Sequence, residues 1–277
     1  MAFYGNHFSF NGIPCEKYGL MIYDLSGETQ SGNGAIASVG EAVEEWLPSR
    51  RSSYYFGTKQ NTPASFKLVF GLDPNAGRID RDEPLDRFEI EEIGYWLTGG
   101  TDERKWLEIE QPDMEFVRYK CKITDLQYIT DGWLPWAFSC TVTCDSAYGY
   151  TRRKRFACEC EGTASLKIRS VSSVNDYRPV LEITVAEGGS SSGISIRNGN
   201  DEFCLKEVPT ELNGKSFKVD CDTGVIIGAD FVSNIYDLCD FKSGSPFIKL
   251  HRGLNELTLS GNFTLNVICE FPVSIGG

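Results

Sequence analysis

The strongest constraint on this chain is a period of two. Segment after segment alternates apolar and polar residues and is bounded by Gly, Asn or Asp, which puts successive side chains on opposite faces of an extended strand. Residues 8–13, 20–23, 65–70, 116–123 and 136–144 carry the pattern in the first half. In the second half, 180–185 and 194–197 flank a Gly- and Ser-rich stretch. Asn198-Gly199, Asn213-Gly214 and Asp222-Thr223-Gly224 then punctuate strands that recur as far as 263–269. Asn-Gly supplies the positive φ angles of a two-residue hairpin turn. The pattern predicts a mainly β protein built from antiparallel hairpins.

One helix interrupts the strands. Pro84 follows Asp82 and Glu83, and Leu85, Phe88, Ile93, Trp96 and Leu97 form an apolar stripe at helical spacing before Gly99-Gly100. A helix over 84–98 is expected, packed on a sheet, so the first half reads as a β-sandwich with one helix. A cluster of basic residues, Arg152-Arg153-Lys154-Arg155, looks like a surface linker. It marks a boundary between a domain at 1–150 and a second β-sandwich at 151–277, as the 277-residue length allows.

Residues 26–51 lack a clean strand, and so long an insert in a compact domain is ordinarily either mobile or ordered by a partner. It ends near Trp46 and Leu47, with Tyr54, Tyr55 and Phe56 close behind. These five aromatic and aliphatic residues are the candidate subunit interface, because aromatics anchor interfaces.

Chemical motifs are weak. Gly32-x-Gly34-x-x-Ala37 lacks the immediate strand-to-helix turn of a dinucleotide site. Glu108 and Glu110 share a strand face without a second acid opposite them, and Asp220-x-Asp222-x-Gly224 has Phe231 where a calcium loop needs Glu. A sequon at Asn262-Phe263-Thr264 reads as strand. A nucleophile dyad would have to recruit His7 or His251, and no G-x-S-x-G elbow is present. Ten cysteines without a C-x2-C pair, beside two histidines, read as buried thiols rather than a zinc site or bridges. No catalytic residue, metal or cofactor is expected.

The net charge of −12 argues against a protein that coats nucleic acid. The acidity is concentrated in residues 1–147, with 13 basic and 23 acidic side chains, and reads as a solvated or partner-facing surface. No stretch approaches a membrane span, and the first residues lack the basic and apolar regions of a leader. The protein is therefore expected to mature where it is made.

The order of features resembles the distal tail proteins of bacteriophages with long non-contractile tails. The resemblance opens with Phe10-Asn11-Gly12-Ile13 and Tyr18-Gly19-Leu20. It continues through Phe56-Gly57, the helix end Tyr95-Trp96-Leu97-Thr98-Gly99, Trp106-Leu107-Glu108-Ile109 and Ser146-Ala147-Tyr148-Gly149-Tyr150. Lys218-Val219-Asp220 and Leu250-His251-Arg252-Gly253-Leu254-Asn255 look like that family's galectin-like C-terminal domain, with Arg252 where a proline usually stands. The resemblance spans nearly the whole chain. It implies a ring, a homo-hexamer, at the virion tail tip, assembled in the bacterial host cytoplasm. One face would meet the tail tube protein and the other the tail-tip hub protein, with receptor-binding proteins attached through the C-terminal domain. A carbohydrate-binding β-sandwich module is the alternative, weakened because all five tryptophans lie in the first half.

Overall fold

A computed structural model describes residues 6–24, 41–46, 51–59, 63–76, 84–99, 103–111, 117–188, 193–228, 235–240 and 247–274. The chain is mainly β and divides into two compact units, Met1–Tyr150 with Ser274–Gly277, and Thr151–Val273.

In the first unit, β1 (Phe8–Phe10), β2 (Ile13–Pro14), a 3-10 turn (Cys15–Tyr18) and β3 (Leu20–Asp24) come first. A ribbon of β4 (Glu41–Glu45) and β5 (Tyr54–Lys59) precedes β6 (Ser65–Leu72) and α1 (Arg87–Thr98). β7 (Lys105–Ile109), β8 (Val117–Asp131), β9 (Leu134–Cys144) and β10 (Tyr148–Thr151) follow. The sheet runs β2-β1-β7-β8-β9-β6-β3. Residues 8–13, expected to continue as one strand, instead turn at Asn11-Gly12, where both φ angles are positive (54° and 76°).

This sheet curls over its own core. Four strand steps separate β1 from β6, about 19 Å if the sheet were flat, yet the rings of Phe8 and Phe70 are 5.3 Å apart. The Ile22 amide donates to the Asn6 carbonyl at 2.8 Å, bringing the far strand back beside the start of the first. The enclosed core holds Leu68, Phe70, Leu107, Tyr119, Phe138 and Val142. Trp96 of α1 stacks on Phe8 at 5.7 Å and donates its indole N–H to the Phe10 carbonyl at 3.1 Å. That bond satisfies the one polar atom a buried indole carries.

The helix begins at Arg87 rather than at Pro84. Asp86 is its N-cap, accepting from the Glu89 amide at 2.8 Å while the Glu89 carboxylate accepts from the Asp86 amide at 3.0 Å. This capping box satisfies two donors that a helix end leaves open. Leu85 therefore stands outside the helical period, and the buried stripe is Ile93, Trp96 and Leu97. Phe88, assigned to that stripe from the sequence, is 82% exposed and shares the outer face with Tyr95, one heptad on.

The second unit is organised by two 17-residue strands. β11 (Lys154–Ser170) pairs along its full length with β17 (Gly253–Cys269). Between them in the chain lie β12 (Val180–Val185), β13 (Ile194–Asn198), β14 (Asp201–Leu205), β15 (Ser216–Asp220), β16 (Val225–Ile227) and the short α2 (Ile235–Leu238); β18 (Pro272–Ser274) follows. β13 pairs with Thr258–Ser260 of β17 and β12 with Phe263–Ile268. The long pair thus passes from one layer of the sandwich to the other. The passage falls where Gly162 faces Gly261, both at positive φ. A Cβ on Gly261 would lie 2.9 Å from the Gly193 carbonyl oxygen, so only glycine lets the neighbouring backbone approach there.

The basic cluster at 152–155 is not a free linker. Lys154 and Arg155 begin β11, and Arg153 and Arg155 pair with Glu270 and Glu182 at 2.9 and 3.1 Å. Asp220 caps the β15–β16 turn by accepting from the amides of Asp222 and Thr223, which is the use its carboxylate has in place of a calcium loop. Asn262 lies in β17 and accepts from the Gly162 amide at 3.0 Å.

Candidate assembly surfaces

Acid–base chemistry finds little support among the described side chains. Burial pushes the Cys140 and Cys144 thiols up to about 12, and Cys221 and Cys269 equally. A thiol held protonated is a poor nucleophile, because the thiolate is the reacting form. All ten cysteines are free. His251 sits in a turn that the buried Asn255 organises, accepting from the His251 amide and donating to the His251 and Gly253 carbonyls. The structure does not bring it to a hydroxyl or thiol; its ring lies 3.2 Å from Asp176.

The first unit instead presents apolar surface. β4 and β5 form a two-stranded sheet of their own, with Glu45 opposite Tyr54 and Glu44 opposite Tyr55. Its described side chains are all outside the core: Val43, Trp46 and Tyr54 are 44%, 65% and 39% exposed. A solitary pair of strands is marginal in water unless something packs on it. Of the five residues selected from the sequence, Trp46 and Tyr54 flank the paired end of this ribbon. Tyr55 and Phe56 lie in β5 with side chains outside the described residues, and Leu47 is outside them altogether.

Sequence reasoning missed a second surface. β8 and β9 extend beyond the core as a hairpin whose end pair, Asp131 and Leu134, encloses Gly132-Trp133. Both loop residues have positive φ (56° and 77°), the geometry of a primed two-residue turn. Trp133 there is 96% exposed, with Tyr128, Ile129 and Leu134 beside it at 60%, 42% and 45%. A tryptophan held left-handed costs about 1–2 kcal/mol over glycine, and its ring is surrendered to water. Asp131-Gly132 between alternating residues was the available signal. It was masked because β8 is exposed on both faces from Gln127 to Asp131.

Comparison with known proteins now bears on these surfaces. A family described as phage tail protein N-terminal domain matches residues 3–146. The chain belongs to that family. No curated protein matches the sequence. Among solved structures, the crystal structure of the phage SPP1 Dit (gp 19.1) protein is similar in fold. It is 10% identical with a TM-score of 0.59, over 96% of this chain and 98% of that one. That protein is described as a paradigm of the hub adsorption apparatus in phages that infect Gram-positive hosts. A chain of the phage P2 baseplate in its activated, calcium-bound conformation aligns over 97% of this chain and 98% of its own. The identity there is 11% and the TM-score 0.44. The protein is thus a phage tail protein with a Dit-like, mainly β fold. Among the described residues no helix is long and apolar enough to cross a membrane.

Proposed function

We propose that this tail protein is the distal tail protein of its phage and acts by shape. Six copies close into a ring at the tail tip that joins the tail tube protein to the tail-tip hub protein, and the Thr151–Val273 unit offers attachment to receptor-binding proteins. Assembly takes place in the cytoplasm of the bacterial host. The tail family and the Dit-like fold support this reading. The observation that carries it is the β4–β5 ribbon, a two-stranded sheet with its described apolar side chains turned to water.

Rotation of one copy onto the next uses two different surfaces, and closure of the rotation limits the number of copies. The ribbon around Trp46 and the β8–β9 tip around Trp133 are two such surfaces. Burial of their apolar area would contribute about 25 cal/mol per Å², against the cost of ordering the interface. The domain boundary at 150/151 is part of the proposal: the first unit builds the ring and the second serves attachment.

The carbohydrate-binding alternative has less to stand on. Among the described residues of the second unit Tyr236 is the exposed aromatic, and its hydroxyl is engaged by the Ile226 amide at 2.9 Å. Size-exclusion chromatography with light scattering, followed by electron micrographs of the purified chain, tests the proposal. A single closed species with six-fold symmetry is expected without added ligand. A monomer over the whole accessible concentration range overturns it.

A further inference from the structure

The tight hairpin at the start of the chain delivers three metal-competent side chains to one point. The Asn11-Gly12 turn pairs Phe10 with Ile13 and Ser9 with Pro14. Cys15 and Glu16 then open the 3-10 turn beside Phe8 and His7. The contacts follow: Cys15 Sγ is 3.9 Å from His7 Nδ1 and 3.4 Å from Glu16 Oε2, and His7 Nδ1 is 3.7 Å from Glu16 Oε1. These three donors form a compact group, all within 4.8 Å of one another.

We propose that His7 Nδ1, Cys15 Sγ and one carboxylate oxygen of Glu16 bind a zinc ion, with water as the fourth ligand. The size fits. Ligands about 2.1–2.3 Å from a tetrahedral zinc lie roughly 3.5 Å apart, and the three donor atoms, already within 4.8 Å of one another, reach that spacing by small side-chain rotations. The donor set fits as well, because a thiolate and an imidazole exclude the hard ions calcium and magnesium and suit zinc.

The surroundings favour the bound form. The Phe8 amide donates to Cys15 Sγ at 3.4 Å, a bond that strengthens when the sulfur is a thiolate. Cys15 is fully buried, while the His7 and Glu16 side chains are 28% and 50% exposed, so an ion enters from solvent and meets the sulfur on the inner side. Without a metal the sulfur keeps its proton: burial, with the Glu16 carboxylate beside it, pushes the thiol up to about 12, and Glu16 accepts that proton in a hydrogen bond. On binding, the S–H bond breaks, an S–Zn bond forms, and the proton leaves to solvent. The ion would clamp the first hairpin, whose Phe8 and Phe10 anchor Trp96. In the sequence His7 stood out only as one of two histidines open to a nucleophile dyad, without a metal-ligand spacing; the turn supplies the proximity.

Zinc competition against a chromophoric chelator on the full-length, metal-stripped protein tests this, with cobalt as a spectroscopic probe. Expected are one zinc per chain, one proton released per zinc near pH 7, and thiolate-to-cobalt charge-transfer absorption. His7→Gln and Glu16→Gln should weaken binding by at least ~100-fold, since even outer-shell losses cost 10–100-fold. Cys15→Ser should abolish the charge-transfer band. Circular dichroism and melting of each metal-free variant establish that it is folded, and zinc should raise the melting temperature of the native chain but not of His7→Gln. Failure of the native chain to bind zinc, or binding that persists undiminished in folded His7→Gln and Cys15→Ser, overturns the site.

Discussion

The two units solve the same problem with opposite economies. Both are antiparallel β, both enclose an apolar core and both bury cysteines as small hydrophobes. The second leaves, among its described aromatics, Tyr236 at 40% exposure. The first leaves Tyr23, Trp46, Tyr54, Phe88, Tyr95, Tyr128 and Trp133 between 39% and 96% exposed. Scattered apolar side chains on a surface mean little, but grouped ones rimmed by charge mark interaction sites. Phe88 and Tyr95 sit on the helix face that also carries the acidic Glu91 and Glu92, and the acidic excess of the whole chain lies in this half. The second unit thus covers nearly all its described aromatics, whereas the first leaves grouped aromatic surface open to a partner.

The largest expected effect breaks the comparison outright. Removing residues 28–48 deletes β4 and Trp46 while leaving both cores untouched. Circular dichroism and a cooperative melt should be retained, and light scattering should show the ring lost. Normal assembly of the truncated protein would remove the ribbon from the interface. Next in size is Trp133→Gly, whose two effects have opposite sign. The isolated chain should gain about 1 kcal/mol, because glycine adopts the left-handed turn without cost. Assembly should weaken by tenfold or more if the ring is an interface anchor, since such anchors carry ~2 kcal/mol or more. Concentration-dependent light scattering and a urea titration separate the two.

The strands were legible where a core enforces alternation, as at Ser65–Leu72, whose Leu68 and Phe70 are buried, or at Val180–Val185. They were illegible where no core does. The end of β8 from Gln127 to Asp131 is exposed on both faces, so burial imposes no alternation there, and a tryptophan in a left-handed turn breaks the usual Asn-Gly signature. β11 hid for a different reason: Lys154 and Arg155 read as linker, though both lie in the strand and Arg155 pairs with Glu182 of β12. The candidate interface was legible in part. Aromatics beside a stretch without a clean strand pattern flagged Trp46 and Tyr54, but exposure is a tertiary fact, and Phe88 was placed on the wrong face because Leu85 was counted into a helix that starts two residues later.

A pair of glycines sharpens the contrast between closed and open packing. Gly71 of the first unit would place a Cβ 2.6 Å from the Tyr23 ring, 2.7 Å from Ala137 Cβ and 2.7 Å from the Trp136 carbonyl oxygen. Gly261 of the second meets backbone and is also left-handed. Gly71→Ala and Gly261→Ala should each destabilise their own unit by about 1–3 kcal/mol. All five tryptophans lie before residue 150, so tryptophan fluorescence during urea unfolding reports the first unit alone. It should shift for Gly71→Ala and stay unchanged for Gly261→Ala. A fluorescence shift in both variants would mean that the units unfold as one.

The smallest effect is the response to alkali, and its sign follows from the thiols. Burial pushes Cys140 and Cys144 in the first unit, and Cys221 and Cys269 in the second, from near 9 up to about 12. The folded chain holds these groups protonated, while the unfolded chain releases their protons above about pH 9. Their contribution to stability is therefore complete below pH 9 and declines as pH rises from 9 towards 12. Each such thiol adds a slope of about 1.4 kcal/mol per pH unit in that window. Cys15 and Cys121 in the first unit and Cys160, Cys204 and Cys239 in the second are raised as well, so the two units should lose stability with similar slopes. Tryptophan fluorescence melts at pH 8, 9 and 10 should fall in step with the β circular dichroism signal of the whole chain. Bound zinc on Cys15 would remove that one thiol from the balance, and the first-unit slope should then shrink by a single thiol's share when zinc is added.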